Sequence, residues 1–408
     1  MVYPREVRMA MEILENNGYE AYLVGGCLRN ILMGKEPHDW DMTTSALPLD
    51  CAKIFSAEGH HVIETGIKHG TVTVLMGGIS IEITTFRIDG AYSDSRHPES
   101  VTFTPCLDED LARRDFTVNA MAWGEKRGLV DLFSGKSDLE MMLLRAVGDP
   151  KKRFEEDALR ILRAFRFASE HGFEIEEKTK EAIIEKRSGL LNISRERIYS
   201  ELCRTLVGDF STNAIDILIE CGIMPYIFEE YEDSFAPDTK IIEKLPKNIE
   251  PRLAALFAFF PYEKAEKALS SLKMSNKERL GTKKLLEGAE MIKNEPFSDA
   301  VSARKFICRF GDFAKHSAEL AFLLGYDSGE AKKAIDEASE TDFPRGIDAL
   351  KVSGSDVIAL GAIGRMTGEV LSFLLMKAIE DPKRNNREEL ISIAKEYILE
   401  RKNEHSNN

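Results

Sequence analysis

Hydrophobic residues change their spacing about one third of the way along the chain. In residues 71–76 and 79–86, apolar and β-branched residues alternate with polar ones, and two glycines separate the runs, which predicts a β-hairpin. A second hairpin is predicted within residues 119–133, and residues 4–17 have helical spacing. We therefore predict a small, mixed, partly antiparallel sheet with packed helices over residues 1–140.

Beyond residue 140, apolar residues recur every three or four positions, which is the period of a helix. Residues 154–169 are predicted to form one continuous helix, and no further strand is expected. The other predicted helices cover residues 176–186, 194–207, 213–220, 251–260, 262–272, 277–293, 300–310, 313–324, 329–340, 355–360, 368–378 and 387–402. The pattern thus indicates an α+β fold, in which a sheet-containing head precedes an elongated, all-helical remainder.

The composition is that of a globular protein with several domains. A chain of 408 residues exceeds the size of one hydrophobic core, so we expect about two to four domains. The longest apolar runs, residues 253–260 and 370–376, are far shorter than the roughly 20 residues that cross a bilayer. The first residues lack the apolar segment of a secretion signal, and the six cysteines lack zinc-site spacing. We expect a cytoplasmic protein with reduced thiols and no membrane partner.

Charge leaves the question of nucleic-acid binding open. The net charge of −14 argues against a protein that coats nucleic acid, because such proteins are usually basic. Residues 141–207 nevertheless carry 14 Lys and Arg against 12 Asp and Glu. A slightly positive segment of this kind fits a chain that contacts nucleic acid through one groove, and equally one that never binds it.

Carboxylates in the head are candidates for a metal site. Asp39 and Asp41 are two residues apart near a predicted strand, so both side chains point to one face. Glu82 lies between two isoleucines in another strand, and it would join the first pair if the strands were neighbours. Carboxylates in this arrangement suit Mg²⁺ bound together with substrate phosphates, and three of them can hold two metal ions. Alone, an Asp-x-Asp pair is more often a solvated strand edge.

Two further features suggest phosphate binding in the head. Gly25 and Gly26 follow a short apolar strand and open a helix, whose N-terminal N–H groups can bind an anion that Arg29 also reaches. Arg114 and Asp115 belong to an Arg-Arg-Asp segment that could bind a triphosphate and a ribose hydroxyl. A surface turn with an ion pair of little consequence explains that segment equally well.

The segment EEDALRILRAFRF contains a candidate base-reading fork. The simpler interpretation is an intrahelical ion pair, because Arg160 lies one turn after Glu156 and Asp157 on the predicted helix. Alternatively, the Asp157 carboxylate accepts from an exocyclic amino group while the Arg160 guanidinium donates to the adjacent ring nitrogen. Cytosine and adenine present that pair of groups, whereas uracil and guanine present the reverse. The fork would therefore accept C and A and refuse U and G.

Taken together, these blocks resemble the class II tRNA nucleotidyltransferases, the bacterial CCA-adding enzymes, within the wider tRNA nucleotidyltransferase and poly(A) polymerase family. The blocks that carry the resemblance are LVGGCLRNILMGKEPHDWDMTTSA, GIKHGTVTV, IEITTFRIDGAYSDSRHPESVTF, LDEDLARRDFTVNAMAW, DLFSGKSDLEMMLLRAVGDPKKRFEEDALRILRAFRFASEHGF and ISRERIYSEL, with a tail-like segment over residues 349–390. They occur in order and span nearly the whole chain.

The resemblance implies a nucleotidyltransferase head over residues 1–140, a neck over 141–207, a body over 208–295 and a tRNA-binding tail over 296–408. It implies addition of CCA to the 3′ end of tRNA from CTP and ATP by two-metal transfer with release of pyrophosphate. Asp39 and Asp41 would bind Mg²⁺, with Glu82 as the third catalytic acid. The implied nucleotide-binding residues are Gly25, Gly26, Arg29, Arg114, Asp115, Asn119, Glu156, Asp157, Arg160 and Arg163.

Some alternatives remain open within and beyond the family. Relatives that add only CC lack the loop between the third carboxylate strand and the double-Arg block. Here residues 87–103 supply that loop, which favours addition of A. An A-adding enzyme, a poly(A) polymerase and a non-catalytic RNA-binding protein with a degenerate head are the competing interpretations. The long basic extension usual in bacterial poly(A) polymerases is missing from this sequence. The oligomeric state and any partner that supplies CC are not predicted.

Overall fold

In a computed structural model, which describes residues 1–89, 101–235 and 237–406, the backbone groups into two units. The first comprises Met1–Phe235 with Lys267–Met274, and the second comprises Ala236–Glu266 with Ser275–Asn408. The four-part division into head, neck, body and tail stays a prediction. Residues 90–100, the central part of the loop expected to favour A addition, lie outside the described residues.

A mixed seven-stranded sheet forms the centre of the first unit. Its strands are β1 Ala21–Val24, β2 Trp40–Thr44, β3 His61–Ile63, β4 Thr71–Met76, β5 Ile79–Thr85, β8 Met121–Gly124 and β9 Gly128–Asp131. They lie in the order β3-β4-β5-β2-β1-β8-β9, and only the β2–β5 pair is parallel. Two strands, β6 Arg87–Asp89 and β7 Val101–Phe103, pair separately. The mixed sheet and both hairpins are as predicted.

The two faces of the sheet pack differently. Along β5, Ile81 and Ile83 are buried while Glu82 between them is exposed, as the alternation of side chains in a strand requires. The isoleucines join a core with α1 Arg5–Asn16 and α3 Pro48–Ala57. On the other face, Tyr22 and Val24 pack with residues of α4 Leu107–Ala112. The side chains at Asp41 and Glu82 belong to this second face, because they alternate with the core residues.

Helices make up most of the rest of the first unit. They are α2 Gly25–Leu32, α5 Gly135–Glu140, α6 Pro150–Glu156, α7 Leu159–His171, α8 Glu177–Lys186, α9 Arg195–Val207, α10 Ser211–Glu220 and α11 Met224–Ile227. The prediction that no strand follows residue 140 is wrong in one detail. Two-residue strands β10 Leu143–Leu144 and β11 Glu174–Ile175 form a short parallel pair, and runs this short leave no periodic signal.

The predicted continuous helix over residues 154–169 is also wrong. Asp157 has an extended backbone, with φ −144° and ψ 102°, and it separates α6 from α7. Its carboxylate Oδ1 accepts the backbone N–H of Leu159 at 3.0 Å. This bond to a residue two positions ahead is the turn that aspartate forms in competition with a helix. The apolar spacing continues across the break, so the sequence pattern conceals it.

The second unit contains helices alone among its described residues. From residue 237 onward the helices are α12 Lys240–Lys244, α13 Ile249–Phe257, α14 Tyr262–Ser271, α15 Asn276–Asn294, α16 Ala300–Phe310, α17 Ala314–Leu323, α18 Glu330–Ser339, α19 Gly354–Ala359, α20 Arg365–Glu380 and α21 Arg387–Ser406. Side chains from α19, α20 and α21 form one core cluster around Leu374 and Leu390. None of the helices in the described chain is both long and apolar enough to cross a membrane.

Candidate functional site

A cavity of about 560 Å³ lies in the first unit beside the N-terminus of α2 and the start of β2. Helices α7 and α9 and the segment after α4 form its other walls. Its lining includes these predicted site residues: Gly25, Gly26, Arg29, Asp39, Asp41, Arg114, Asp115, Asn119, Asp157, Arg160 and Arg163. Glu82 and Glu156 do not line it. The fold thus brings together in one cavity residues that are up to 138 positions apart, from Gly25 to Arg163.

The two strands that carry the candidate carboxylates are neighbours, which meets the condition set for Glu82, although no metal-binding group of three carboxylates is found among the described residues. Asp41 of β2 stands directly opposite Glu82 of the parallel strand β5. Burial, together with the negative charges of Glu82 and Asp39, raises the pKa of Asp41 to about 6 against the opposing effect of Arg114. Negative charge therefore accumulates around Asp41, and a bound cation would relieve it.

The donor chemistry around Asp41 fits a hard divalent cation. Asp39 and Asp41 both line the cavity, and carboxylate oxygens are the protein ligands that Mg²⁺ prefers. Among the residues that the structure describes, no group of three or more His, Cys, Asp or Glu side chains is placed to hold a metal ion. Two carboxylates, completed by substrate phosphates, remain the candidate ligands, and the roles of Asp39, Asp41 and Glu82 stay predictions.

The residues predicted to bind phosphate lie together at the start of α2. Gly25 has φ +68°, and a Cβ atom there would lie 3.4 Å from Arg114 Nη1 and 3.6 Å from Asp41 Oδ2. Glycine is therefore needed for the backbone conformation, while the two distances are those of ordinary van der Waals contact. Arg29 is buried one turn further on, and its Nη1 donates to Asn119 Oδ1 at 2.7 Å. Burial lowers the pKa of Arg29, although the guanidinium remains charged.

Asp115 is saturated by bonds within the chain. Oδ1 accepts from Phe116 N at 2.8 Å and from Asn119 Nδ2 at 3.1 Å, and Oδ2 accepts from Arg163 Nε at 2.8 Å. Arg163 Nη2 lies 2.6 Å from the same Oδ2. Burial would raise the pKa of Asp115, but Arg163 and Asn119 outweigh burial and hold it well below its usual range. A ribose hydroxyl would have to displace one of these donors, so Asp115 primarily fastens Asn119 to α7.

Asp157 and Arg160 both line the cavity but do not bond to each other. Asp157 Oδ2 accepts from Arg197 Nη2 at 2.9 Å. Arg160 Nη1 donates to Glu156 Oε2 at 2.6 Å, and Nη2 donates to the carbonyl oxygen of Arg113 at 3.0 Å. The sequence argument placed the fork on one helix, whereas in the structure each member is held by a different partner. Their nucleotide-binding roles stay predictions.

The sequence analysis overlooked several cavity residues on α7 and α9. The ring of Phe167 on α7 has three guanidinium groups around it, whose Cζ atoms lie 5.0 Å (Arg29), 5.4 Å (Arg163) and 4.4 Å (Arg166) from the ring centre. Other overlooked residues are Glu170, His171, Arg197 and Arg204. The Arg160, Arg163 and Arg166 spacing of three residues places them on one helical face and would have indicated Arg166. The α9 residues carried no comparable signal.

Two protein-family models match separate parts of the chain. Residues 21–145 match the family model described as the poly A polymerase head domain. Residues 172–235 match the model described as the probable RNA and SrmB-binding site of polymerase A.

Several similar proteins are CCA-adding enzymes. The CCA-adding enzyme of Lactobacillus helveticus is 50% identical over 210 residues, 52% of each chain, so that match spans about half of the relative's length. The CCA-adding enzyme of Streptococcus suis is 35% identical over 96% of this chain and 97% of its own. The crystal structure of the Bacillus stearothermophilus CCA-adding enzyme in complex with CTP has a TM-score of 0.83 and 29% identity, covering 99% of this chain and all of that one.

Proposed function

The chain belongs to the family of CCA-adding enzymes, and from that membership we propose that it adds C, C and A in turn to the 3′ end of tRNA, using CTP and ATP. The observation that carries this proposal is the single cavity in which Asp39 and Asp41 meet Arg114, Asp157 and Arg160. Acidic, phosphate-binding and base-reading groups are the three components that such a transfer needs.

In the proposed reaction, the terminal 3′ hydroxyl of the RNA attacks the α-phosphorus of the nucleotide. A phosphodiester bond forms, the bond between the α-phosphorus and the bridging oxygen breaks, and pyrophosphate leaves with that oxygen. Asp39 and Asp41 would hold Mg²⁺, which when bound offsets phosphate charge and makes the hydroxyl easier to ionise. Glu82, opposite Asp41 in the sheet, would be the third acid near the attacking hydroxyl.

The start of α2 and two arginines would bind the phosphates of the nucleotide. The N-terminus of α2 at Gly25 and Gly26 offers backbone N–H groups to an anion, and Arg29 and Arg114 add positive charge beside it. Preorganised charges of this kind stabilise the charge that develops on the transferring phosphate. Asn119 is fixed between Arg29 and Asp115, so the arginine that binds phosphate is positioned before the nucleotide arrives.

Nucleotide choice would come from Asp157 and Arg160. Glu156 holds Arg160 in place, and Arg163 is bonded separately to Asp115. The Asp157 carboxylate accepts from the amino group of cytosine or adenine, and Arg160 donates to the adjacent ring nitrogen. Uracil and guanine would instead place an acceptor against the Asp157 carboxylate and a donor against the Arg160 guanidinium, at a cost of about 1–3 kcal/mol per group. This reading needs no nucleic-acid template, because the protein supplies the complementary groups.

RNA would bind to the helical part of the chain. Residues 172–235 match a model whose description names an RNA-binding site, and residues 296–408 are proposed to bind the acceptor and T-arm side of tRNA. Contacts to phosphates and to RNA shape can proceed with few base contacts, which an acidic protein tolerates if its positive charge is local. Cytoplasmic location remains an expectation from the sequence.

The experiment is incorporation of labelled nucleotides into tRNA that ends at the discriminator base, with Mg²⁺ and each nucleotide singly and together. We expect two C residues with CTP alone, CCA with CTP and ATP, and no product with UTP or GTP. Asp41→Asn should abolish extension, while Glu12→Gln, on the exposed face of α1, should not alter it.

Each competing function predicts a different product. Extension only with ATP, and only on tRNA that already ends in CC, would identify an A-adding enzyme. Runs of A on a non-tRNA primer would identify a poly(A) polymerase. Binding of tRNA with no incorporation of any nucleotide would identify a non-catalytic RNA-binding protein and overturn the proposal.

A further inference from the structure

Asp110 is a fully buried carboxylate that the sequence analysis did not consider. It lies on α4, on the face of the helix that packs against the sheet, and none of its surface is exposed. Its Oδ1 accepts from Arg113 Nε at 3.1 Å and Nη2 at 2.7 Å, and its Oδ2 accepts from Arg114 Nη2 at 3.0 Å. One carboxylate therefore holds both members of the double-Arg block.

The same carboxylate is attached to the strand that carries Asp41. Thr43 lies two residues after Asp41 in β2, and its side chain points to the same face. Thr43 Oγ1 lies 3.2 Å from Asp110 Oδ2 and 3.1 Å from the carbonyl oxygen of Thr84 in β5. Through Asp110 and Thr43, the two arginines are therefore fixed to β2 and β5, the strands that carry the proposed catalytic acids.

The charge on Asp110 is compensated locally. Burial alone would raise its pKa, but Arg114 and Arg113 outweigh burial and hold the pKa below the ordinary value. A buried carboxylate of this kind is stable only with its partners, and the arginines in turn depend on it for orientation. Loss of the negative charge would leave two neighbouring guanidinium groups to repel each other.

This anchoring leaves part of Arg114 available for a ligand. Its Nη2 is occupied by Asp110, whereas its Nε has no hydrogen-bond partner among the described residues. Its Nη1 faces Gly25 and the side chain lines the cavity beside Asp41. The guanidinium is thus held by Asp110 at Nη2, while Nη1 faces the N-terminus of α2, where a phosphate would lie.

We propose that Asp110 is the positioning residue of the phosphate site, which holds Arg113 and Arg114 against β2 so that their guanidinium groups meet the triphosphate. This inference rests on the proposed function and deepens it. The carboxylate bonds to the guanidinium groups of Arg113 and Arg114, whereas Arg160 reaches this block through the backbone carbonyl of Arg113. We therefore expect Asp110 to act on nucleotide affinity and not on nucleotide choice. Preorganised arginines give up little freedom when the nucleotide binds, and this advantage is what Asp110 supplies.

The test compares Asp110→Asn, which keeps the size of the side chain and removes its charge, with Asp108→Asn, an exposed aspartate on the same helix. We expect Asp110→Asn to raise KM for CTP and ATP together by about tenfold, with a smaller effect on kcat. Rejection of UTP and GTP should remain that of the wild type, and Asp110→Glu should recover part of the affinity. Asp108→Asn should leave all these values unchanged.

Two further measurements keep the inference testable. Circular dichroism identifies an Asp110→Asn chain that fails to fold, and Thr43→Val then carries the test, because it loosens the same anchor without removing a charge. We expect Thr43→Val to raise KM about two- to fivefold. If Asp110→Asn folds and its KM equals that of the wild type, the inference is wrong. If Asp110→Asn does not fold, a wild-type KM in Thr43→Val has the same meaning. Loss of kcat at unchanged KM in either variant would also overturn the inference.

Calorimetric titration with CTP separates this inference from the proposed function. Weaker CTP binding by Asp110→Asn supports the positioning role whether or not RNA is extended. If the wild type binds CTP but extends no RNA, the proposed function fails while the comparison of affinities still decides the role of Asp110. Equal CTP affinity in the wild type and Asp110→Asn would overturn the inference alone.

Discussion

Replacing Arg197 with methionine should relax the choice of nucleotide while leaving the phosphate site intact. Arg197 lies on α9, and its Nη2 donates to Asp157 Oδ2 at 2.9 Å. The other oxygen of Asp157 is already engaged with the backbone of Leu159. The guanidinium therefore fixes the orientation of the carboxylate proposed to read the amino group of C or A, from a helix that begins 38 residues later in the chain (157 to 195).

The size of the effect follows from the exposure of the pair. A hydrogen bond to a charged group contributes about 1.5–3 kcal/mol. Because the two side chains are 25% and 17% exposed, solvent screens part of this, and we take about 1.4 kcal/mol, or a factor of about ten. Discrimination of CTP against UTP should fall by roughly that factor, because a freed carboxylate can turn away from either base.

The assay is kcat/KM for CTP and for UTP on tRNA that lacks its CCA end. Arg197→Lys should retain part of the discrimination, since it keeps the charge but not the planar donor. Glu196→Gln, at an exposed neighbouring position, is the matched control and should behave as the wild type. An Arg197→Met enzyme with the wild-type ratio of CTP to UTP would refute the reasoning, because Asp157 would then be oriented without Arg197.

Other changes test the fork, the packing and the pH dependence. Arg160→Ala should admit UTP and GTP with little loss of triphosphate binding, as measured by single-nucleotide incorporation. Gly135→Ala should lower the free energy of unfolding by about 3 kcal/mol, because the new Cβ would lie 2.1 Å from the carbonyl oxygen of Thr117. Gly368→Ala, in open space on α20, should raise it by about 0.5–1 kcal/mol, and urea unfolding measures both. Burial, aided by Arg29, lowers the pKa of His171 from 6.5 to about 3, so the unfolded chain takes up a proton below pH 6.5 that the folded chain refuses. Stability should fall as the pH drops from 6.5 toward 3, by at most about 1.4 kcal/mol per pH unit, and His171→Phe should flatten that slope in urea unfolding at several pH values.

A specific result would contradict three of these predictions. Unchanged rejection of UTP and GTP in Arg160→Ala would contradict the base-reading fork. Equal stabilities of the Gly135→Ala chain and the wild type would show that the loop around Thr117 yields easily. An unaltered pH slope in His171→Phe would assign that slope to other groups, such as the buried carboxylates.

Local patterns in the sequence were sufficient to predict the head. The β5 strand alternates buried isoleucines with an exposed Glu82, and two glycines mark the turn before it, so both the hairpin and the faces of its side chains follow from adjacent residues. Gly25 and Gly26 open α2 for the same local reason. That the strands of Asp41 and Glu82 are neighbours was set as a condition from the sequence, whereas the register that places the two residues opposite each other is seen only in the structure.

The prediction failed where a local signal met a competing local bond. Helical spacing continues through residues 154–169, yet the Asp157 side chain captures the backbone N–H of Leu159 and ends α6. Periodicity records which residues are buried, and burial is compatible with a one-residue break. The bond between Asp157 and Arg197 could not be read from the sequence either, because it depends on how α9 packs beside α7.

The break at Asp157 gives the proposed base-reading pair a geometry that an unbroken helix would not allow. On an unbroken helix, Asp157 and Arg160 would lie one turn apart and neutralise each other, leaving neither group for a base. The extended residue turns Asp157 toward Arg197, while Arg160 is held by Glu156 and by the carbonyl oxygen of Arg113. Each member of the pair is thus oriented by a partner of its own and remains at the cavity wall. The bond from Arg160 to the carbonyl oxygen of Arg113 also links the proposed base-reading residues to the double-Arg block that Asp110 holds, so the side chains proposed to bind bases and phosphates belong to one continuous network.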